Sequence, residues 1–454
     1  MTIAIPAGAT ASSQLLKPWR DYKVDEVKAA ILNANERVIV GAAAIALGLL
    51  IFTEKLALQP ANIEYGFFAV AALCVFLVLR GSAYFLPVRT LAYCGVAALM
   101  IVITFASPIH AAFSIPSLLF MIILHIPFCM RVDLSRLAYL RILLWFEIFA
   151  LVIASFVYFQ WLQQAAGMRM LNMEDYLPQS MMFDNYNYVQ KINYFSHWYK
   201  PNGFFMLETS YASQVLALAG LIELALFRRP VRLAYIVLAQ LSTYGGTGMI
   251  VLGCGMLVAV FYLRFKEVVA LAVAVPLLFG LAMTTGIAEN AMGRTMEFSH
   301  SGTSGNGRFV APFEIARDTV LSSKTFALTG VGPGVVSPYH RLIQDTLNPL
   351  TKLVVEYGIP VAVLWMLWYH ACMIMARVPF IAFWAFFIQY DALGGAAMVP
   401  LVTYYCLLIS CLFVPTRYIA PAMRRPTIPN RLRPSPLRRL GPASATAATQ
   451  HATV

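Results

Sequence analysis

Apolar residues occur in blocks along the chain, and short polar connections separate these blocks from Arg37 almost to Pro415. A helix that crosses a bilayer needs about 20 mostly apolar residues, and most of the blocks approach or exceed that length. The pattern predicts an all-α membrane protein with about twelve transmembrane helices. The predicted spans are 38–54, 64–80, 86–106, 111–130, 139–162, 207–227, 231–245, 247–263, 267–286, 350–376, 378–391 and 394–414.

Composition supports this fold class and excludes an ordinary soluble protein. Hydrophobic residues make up 60% of the chain and charged residues only 12%, whereas a soluble domain has about 25% charged residues. The first apolar block begins near Val38, behind a polar stretch, which indicates an uncleaved span rather than a secretory signal. All seven cysteines lie inside apolar blocks, so neither a disulfide framework nor a metal-binding spacing is expected.

The distribution of basic residues predicts the orientation. The formal net charge is +12, and most Lys and Arg residues fall in the two terminal segments and in short connections on one side, which the positive-inside rule assigns to the cytoplasm. An even number of spans then leaves both termini cytoplasmic. We predict a cytoplasmic N-terminal segment (1–37), a polytopic membrane domain (38–414) and a basic, disordered cytoplasmic tail (415–454). Nucleic-acid binding is not expected, because membrane topology accounts for the positive charge.

Two long connections fall on the predicted outer side of the membrane, at about 163–206 and 287–349. The first is rich in Tyr, Asn, Trp and Phe, and it includes Trp198 and Tyr199. Aromatic and amide side chains stack on sugar rings and hydrogen-bond to hydroxyl groups, which favours a carbohydrate ligand. An aromatic belt at the membrane interface would have a similar composition, so both interpretations stand at this stage.

The second long connection contains a glycine-rich turn, Gly302–Gly307, followed by a predicted helix. Phe309, Phe313, Ala316 and Val320 recur at helical spacing, which is typical of an amphipathic helix lying on the membrane surface. Another glycine-rich turn closes this element. Without a preceding strand, these turns do not indicate a nucleotide site.

Several stretches together resemble the O-antigen polymerase and O-antigen ligase superfamily of bacterial inner-membrane enzymes. Lys200–Glu208 resembles the family segment in which a basic residue, a glycine and an acidic residue precede a span. Leu241–Gly248 is similar to the Ser/Thr- and Gly-containing turn between two family spans. The long connection with Arg308 and Leu328–Gly334 leads into Asn348–Gly358, which resembles the family pattern with an Asn, a Glu and a Gly at the start of a span.

The resemblance covers about residues 195–365 together with the overall topology. It implies polymerisation of undecaprenyl-diphosphate-linked oligosaccharide repeat units into an exopolysaccharide or O-antigen-type glycan at the periplasmic face of the bacterial inner membrane. A flippase and a chain-length regulator or export complex are the implied partners, and no cofactor or metal is expected. Leu347 stands where ligases of the family carry a His, which favours a polymerase, most similar to the xanthan or acetan kind. A ligase-like glycosyltransferase and a lipid-linked sugar flippase or secondary transporter are the alternatives.

The chemistry that such an enzyme needs can be stated from physical principles. Negative charge builds on the diphosphate leaving group, and arginine engages phosphate oxygens with a planar, permanently charged fork. The acceptor hydroxyl needs a general base within hydrogen-bond reach. The predicted catalytic residues are Arg308, Glu208, Asp345 and His340. The predicted substrate-binding residues are Arg294, Arg317, Arg341, Lys200, Asn348, Glu356, Tyr199 and Trp198.

Structural roles compete with these functional interpretations. Arg308 and Arg317 on a surface helix would extend to water whether or not they bind phosphate. The negative charge of Glu208 at the start of a span would interact favourably with the positive end of the helix dipole. Glu356 inside an apolar block is a functional candidate by its position alone, but pairing with Lys352 would account for it equally well.

Overall fold

The computed structural model is mostly helical and describes residues 18–59, 62–106, 114–183, 189–192, 196–284, 304–334, 347–393 and 400–417. The first ten helices are α1 (Val24–Ala29), α2 (Ala34–Phe52), α3 (Tyr65–Leu79), α4 (Pro87–Ala106), α5 (Ile115–His125), α6 (Arg136–Ala165), α7 (Thr209–Ile222), α8 (Pro230–Ser242), α9 (Gly246–Ala259) and α10 (Phe265–Thr284). The others are α11 (Ser304–Phe309), α12 (Ala311–Ser322), α13 (Lys324–Thr329), α14 (Pro349–Ile374), α15 (Phe380–Leu393) and α16 (Pro400–Ser410). Short strands are β1 (Ala57–Leu58), β2 (Ile63–Glu64), β3 (Ala83–Phe85), β4 (Met130–Ser135) and β5 (Phe413–Arg417).

The structure confirms the predicted all-α membrane class, and each predicted apolar segment contains one of these helices. In the described part of the chain, five helices are long and apolar enough to cross a membrane: Ala34–Phe52, Pro87–Ala106, Arg136–Ala165, Thr209–Phe227 and Pro349–Ile374. Other apolar helices are shorter. The 13 residues of α8 span only about 20 Å, less than a hydrocarbon core of about 30 Å. The count of twelve spans and their orientation therefore stay predictions.

Helix α7 lies at the centre of the bundle, and every residue from Thr209 to Ile222 is buried. It packs against α6, α8, α9 and α15. The approach of α9 is close because glycines face α7. A Cβ atom at Gly248 would lie 2.0 Å from the Ser213 hydroxyl oxygen, and one at Gly245 would lie 2.3 Å from the Ser213 Cβ. These contacts hold the start of α7 rigidly against the α8–α9 turn.

One end of the bundle gathers segments that the charge distribution assigns to the cytoplasm. Strands β3 and β4 pair antiparallel, and β4 pairs with β5 in parallel. The N-terminal segment joins them, since the Ser135 backbone N–H donates to the Glu36 carboxylate over 2.8 Å. Arg141 donates to the backbone carbonyls of Val27 and Lys28. These contacts place the segments at one end, as the predicted topology requires, and which face of the membrane they lie on stays a prediction.

The turn after α2 docks onto the first long connection through a buried lysine. The Lys55 ammonium donates to the Asn172 side-chain oxygen over 2.6 Å, and neither residue is appreciably exposed. The Phe183 backbone N–H also donates to the Lys55 carbonyl over 2.9 Å. A buried ammonium is costly unless its charge is offset, so Lys55 makes the stability of this region depend on pH.

We expect the buried Lys55 to destabilise the protein as the pH falls from the alkaline range towards neutrality. Burial lowers the pKa of Lys55 to about 7, although Glu174 and Glu54 oppose that shift. In the unfolded chain the lysine keeps a pKa near 10.4, so the folded state binds fewer protons between about pH 7 and 10 and gains stability as the pH rises. Lys55→Met should remove up to about 1.4 kcal/mol per pH unit of this dependence.

The measurement is the melting temperature of the detergent-purified protein between pH 6 and 9. Lys324→Met, at an exposed position, is the control and should keep the wild-type dependence. A difference in melting temperature between wild type and Lys55→Met that stays constant from pH 7 to 9 would contradict the lowered pKa of Lys55.

The second long connection packs onto α14 through α12 and α13. The predicted helix after Arg308 is present as α12. Of the residues at helical spacing, Ala316 is buried against Leu347 and Val355 on the side that packs on α14, whereas Phe313 is 51% exposed. The placement of this helix on the membrane surface stays a prediction.

Candidate functional site

The candidate site is built around an ion pair between Arg308 and Glu208. The Arg308 Nη2 atom lies 2.6 Å from the Glu208 Oε1 atom. The two residues lie 100 positions apart in the chain, so the pair joins the two segments in which the sequence places catalytic candidates. The Glu208 side chain is 10% exposed and the Arg308 side chain 27% exposed, which leaves the guanidinium within reach of a ligand.

Glu208 is held at the entry to the central helix. It occupies the N-cap position of α7 in an extended conformation, but its side chain accepts no capping hydrogen bond from the helix backbone. Instead, the Ser210 hydroxyl donates to Oε1, and the Gln190 side-chain amide donates to Oε2 over 3.2 Å. The carboxylate is thus directed towards Arg308 and the first long connection, so capping does not account for this glutamate.

Arg308 is placed by a short helix that ends immediately after it. Helix α11 ends at Phe309, and α12 begins at Ala311 with Pro312 in its first turn. Because proline lacks a backbone N–H and cannot continue the preceding helix, it marks a break between the two helices. Phe309 packs against the main hydrophobic core, so the neighbouring Arg308 is fixed at the end of the bundle. The ion pair between Arg308 and the largely buried Glu208 carboxylate therefore joins α11 to the start of α7.

Glu356 has a structural role in anchoring the second long connection. Its Oε1 atom accepts a hydrogen bond from the Lys352 ammonium over 2.9 Å and from the Gly334 backbone N–H over 3.0 Å. The Glu356 carbonyl also accepts from the Gly332 N–H over 3.0 Å. The side chain is 1% exposed. The predicted pairing with Lys352 is therefore present, and Glu356 holds the glycine turn rather than facing an open site.

Two glycines allow that turn to lie directly on α14. Gly330 and Gly358 have φ angles of +65° and +80°, which favour glycine. A Cβ atom at Gly330 would lie 2.4 Å from the Glu356 carbonyl carbon, and one at Gly358 would lie 2.4 Å from the Leu328 oxygen. The break at Gly358 divides α14, and the part before it contacts the second long connection through the backbone carbonyls of Val355 and Glu356.

The remaining described candidates fall into three environments. Asn348 caps α14, because its side-chain oxygen accepts from the Thr351 backbone N–H over 2.9 Å. Arg317 is 61% exposed and pairs with its neighbour Asp318, away from the Arg308–Glu208 pair in its contacts. Lys200 lies on the hairpin that also carries Trp198 and Tyr199. The Tyr199 backbone N–H donates to Gln164 on α6, and Gln190 on the same hairpin donates to Glu208. Arg294, His340, Arg341 and Asp345 lie outside the described residues.

Several residues of the site were not identified from the sequence. Gln190 and Ser210, which contact Glu208, belong to residue types that occur throughout polar connections. Ser210 lies two positions after Glu208 at the start of a span, and that proximity was the available signal. Within the described ranges, no three His, Cys, Asp or Glu side chains are arranged to hold a metal ion.

No protein-family model matches this chain, and a search of curated proteins finds no significantly similar sequence.

Proposed function

We propose that this protein polymerises undecaprenyl-diphosphate-linked oligosaccharide repeat units into an exopolysaccharide or O-antigen-type glycan on the periplasmic face of a bacterial inner membrane. The observation that carries this proposal is the Arg308–Glu208 pair, 2.6 Å long and partly exposed at one end of a membrane bundle. It unites two sequence stretches that resemble the O-antigen polymerase and ligase superfamily. An arginine beside a carboxylate supplies the two groups that glycosyl transfer from a lipid diphosphate needs.

The proposed reaction uses each partner of the pair separately. The acceptor hydroxyl attacks the anomeric carbon of the donor glycan, a new C–O bond forms, and the bond to the diphosphate breaks with its electron pair. Arg308 stabilises the negative charge that develops on the leaving diphosphate. The Glu208 carboxylate accepts the proton of the attacking hydroxyl. In the resting protein the two groups neutralise each other, and the diphosphate competes for Arg308 when the donor binds.

Leu347 supports polymerisation over ligation. Ligases of the resembling family carry a His at the corresponding position, whereas Leu347 is buried in an apolar cluster with Ala316 and Val355. A side chain in that position packs α12 against α14 and is not directed at a substrate. This environment suits leucine and would leave an imidazole without the polar partners that a buried polar group needs.

A transporter or flippase of lipid-linked sugars is the second candidate, and one observation favours it. His370 and Asp391 lie 2.8 Å apart on apolar helices α14 and α15. Ionisable residues within membrane helices often mark proton or substrate pathways. The pair does not contact the Arg308–Glu208 site in the described part of the chain, so it does not bear on the polymerase chemistry.

Removal of the chain from its host tests the two candidates against each other. We expect cells without it to stop making polymer while continuing to make repeat units, so that single lipid-linked units accumulate on the outer leaflet. The measurement is extraction of the lipid-linked oligosaccharides, combined with their accessibility to a glycosidase added outside spheroplasts. Units that stay on the cytoplasmic leaflet, protected from the glycosidase, would indicate a flippase instead of a polymerase. Normal polymer length without the chain would eliminate both.

A further inference from the structure

Three aromatic side chains from separate parts of the chain meet around Trp161. Trp161 lies on α6, Trp198 on the first long connection, and Tyr244 on the α8–α9 turn. The Trp161 and Trp198 ring centroids are 5.3 Å apart with planes inclined by 35°, and the Trp161 and Tyr244 centroids are 6.0 Å apart. Trp198 is 38% exposed although its ring contacts Trp161. We call these three residues the aromatic platform.

The platform is held in place by hydrogen bonds that leave the ring of Trp198 accessible. The Trp161 indole N–H donates to the Ser242 carbonyl over 2.9 Å. One turn along α6, the Gln164 side chain accepts from the Tyr199 backbone N–H over 2.6 Å and donates to the Tyr199 carbonyl over 3.1 Å. This double contact fixes the backbone next to Trp198, so its inclined contact with Trp161 is organised before any ligand binds.

Tyr244 is presented by a strained turn. Its φ angle is +56°, a left-handed conformation that is unfavourable for an aromatic residue. The Gly245 N–H donates to the Thr243 hydroxyl oxygen over 3.1 Å, and Ser213 on α7 donates to the Gly245 carbonyl over 2.8 Å. Such strain persists only where the surroundings impose it, and it is common where proteins clamp ligands.

A hairpin connects the platform directly to Glu208. The Ile192 N–H donates to the Trp198 carbonyl over 3.0 Å, and the Lys200 N–H donates to the Gln190 carbonyl over 2.7 Å. The Gln190 side chain in turn donates to Glu208. The same short hairpin therefore carries an exposed tryptophan on one arm and a hydrogen bond to the proposed general base on the other.

We propose that the aromatic platform binds a sugar ring of the acceptor glycan and thereby places its hydroxyl at Glu208. A pyranose ring has an apolar C–H face that stacks on a flat aromatic ring, and the exposed Trp198 ring offers such a surface. The hairpin of the platform hydrogen-bonds to Glu208, the proposed general base, and not to Arg308. We therefore assign the platform to the acceptor glycan rather than to the donor diphosphate. Trp198 is the main contact, and Trp161 and Tyr244 support it. This inference rests on the proposed function.

The test measures polymerisation rates in membrane vesicles that contain the protein and increasing amounts of lipid-linked repeat units from the host. Trp198→Ala should raise KM for the repeat unit about 10- to 30-fold, as the loss of an aromatic anchor does, with a smaller change in kcat. Trp198→Tyr should restore most of the affinity and Trp198→Leu should not, because only tyrosine keeps a flat ring. Trp145→Ala is the matched control, since Trp145 is also 38% exposed and makes a similarly inclined ring contact, with Phe149. It should behave as wild type.

A direct binding measurement separates this inference from the proposed function. The probe is the water-soluble oligosaccharide released by mild acid from the host lipid-linked units, and the readout is tryptophan fluorescence of the purified protein. We expect a saturable change in wild type and in Trp145→Ala that is lost in Trp198→Leu. If the wild-type protein bound the oligosaccharide but vesicles made no polymer, the sugar-binding role of the platform would stand and the proposed polymerase function would be wrong. Polymerisation with an unchanged KM in Trp198→Leu, or no oligosaccharide binding by wild type, would overturn the platform.

Discussion

Arg308→Ala should reduce polymer formation by roughly 100- to 1,000-fold, because loss of one preorganised donor to a developing charge typically has that effect. Arg308→Lys should also be impaired, since lysine keeps the charge but loses the planar fork that binds two phosphate oxygens. Because Arg308→Ala leaves the largely buried Glu208 carboxylate without its cation, the yield must be compared at equal amounts of inserted protein. The measurement is polymer yield per amount of inserted protein.

Arg169 provides a matched control for this substitution. It lies in the first long connection and pairs with Asp175 at 2.6 Å, the same distance as in the Arg308–Glu208 pair, but its side chain is 82% exposed. Arg169→Ala removes an ion pair of the same length without touching the candidate site, so its yield should equal that of wild type. If Arg308→Ala were as active as Arg169→Ala, the assignment of the diphosphate to Arg308 would be wrong. Activity lost in Arg317→Ala or Arg341→Ala instead would move the diphosphate site to those residues.

Gly358→Ala should have the second largest effect, through the position of the second long connection. The added Cβ atom would lie 2.4 Å from the Leu328 carbonyl oxygen, and the φ angle of +80° is unfavourable for alanine. Strain of this kind costs about 1–3 kcal/mol, and the backbone clash adds to it. Because α12 and α13 pack on α14, we expect these two helices to shift. Polymer yield should then fall at least about tenfold, a loss that corresponds to roughly 1.4 kcal/mol.

The readout for this prediction combines polymer yield with limited proteolysis. Cleavage within 304–334 should accelerate in Gly358→Ala, while the rest of the chain stays resistant. Gly253→Ala is the control, since a Cβ atom there meets nothing within 4 Å. Replacing a helical glycine by alanine at an open position is favourable by about 0.5–1 kcal/mol. Equal yield and equal proteolysis in both variants would show that the Gly330–Gly358 contact does not position the site.

The helices themselves were predictable from the sequence because their signal is local. Each predicted apolar segment contains a helix, and the segment after Arg308 forms one as well. The structural alternative for Glu356 was also foreseen, since Lys352 lies one helical turn before it and residues four apart on a helix are neighbours. These results depend on a few consecutive residues and on backbone hydrogen bonding within the segment.

The packing partners were not predictable, because in a membrane protein the apolar residues look alike whether they face lipid or protein. Leu91 is 77% exposed and Leu221 is fully buried, yet both belong to apolar segments of similar character. The same ambiguity applies to the residues at helical spacing on α12, of which Ala316 is buried and Phe313 is exposed. Periodicity identifies an apolar face, but the closest approach of two helices depends on small residues such as Ala316.

The candidate site illustrates the same division between local and tertiary information. The sequence made Arg308 and Glu208 candidates through their charge and through the segments that resemble the polymerase and ligase superfamily. Only the tertiary structure decided that they are partners, because residues 100 positions apart meet through the packing of several helices. Likewise, Trp161 and Tyr244 lie in separate predicted spans, and they form one platform with Trp198 only because hydrogen bonds from Gln164 and Trp161 bring three segments together.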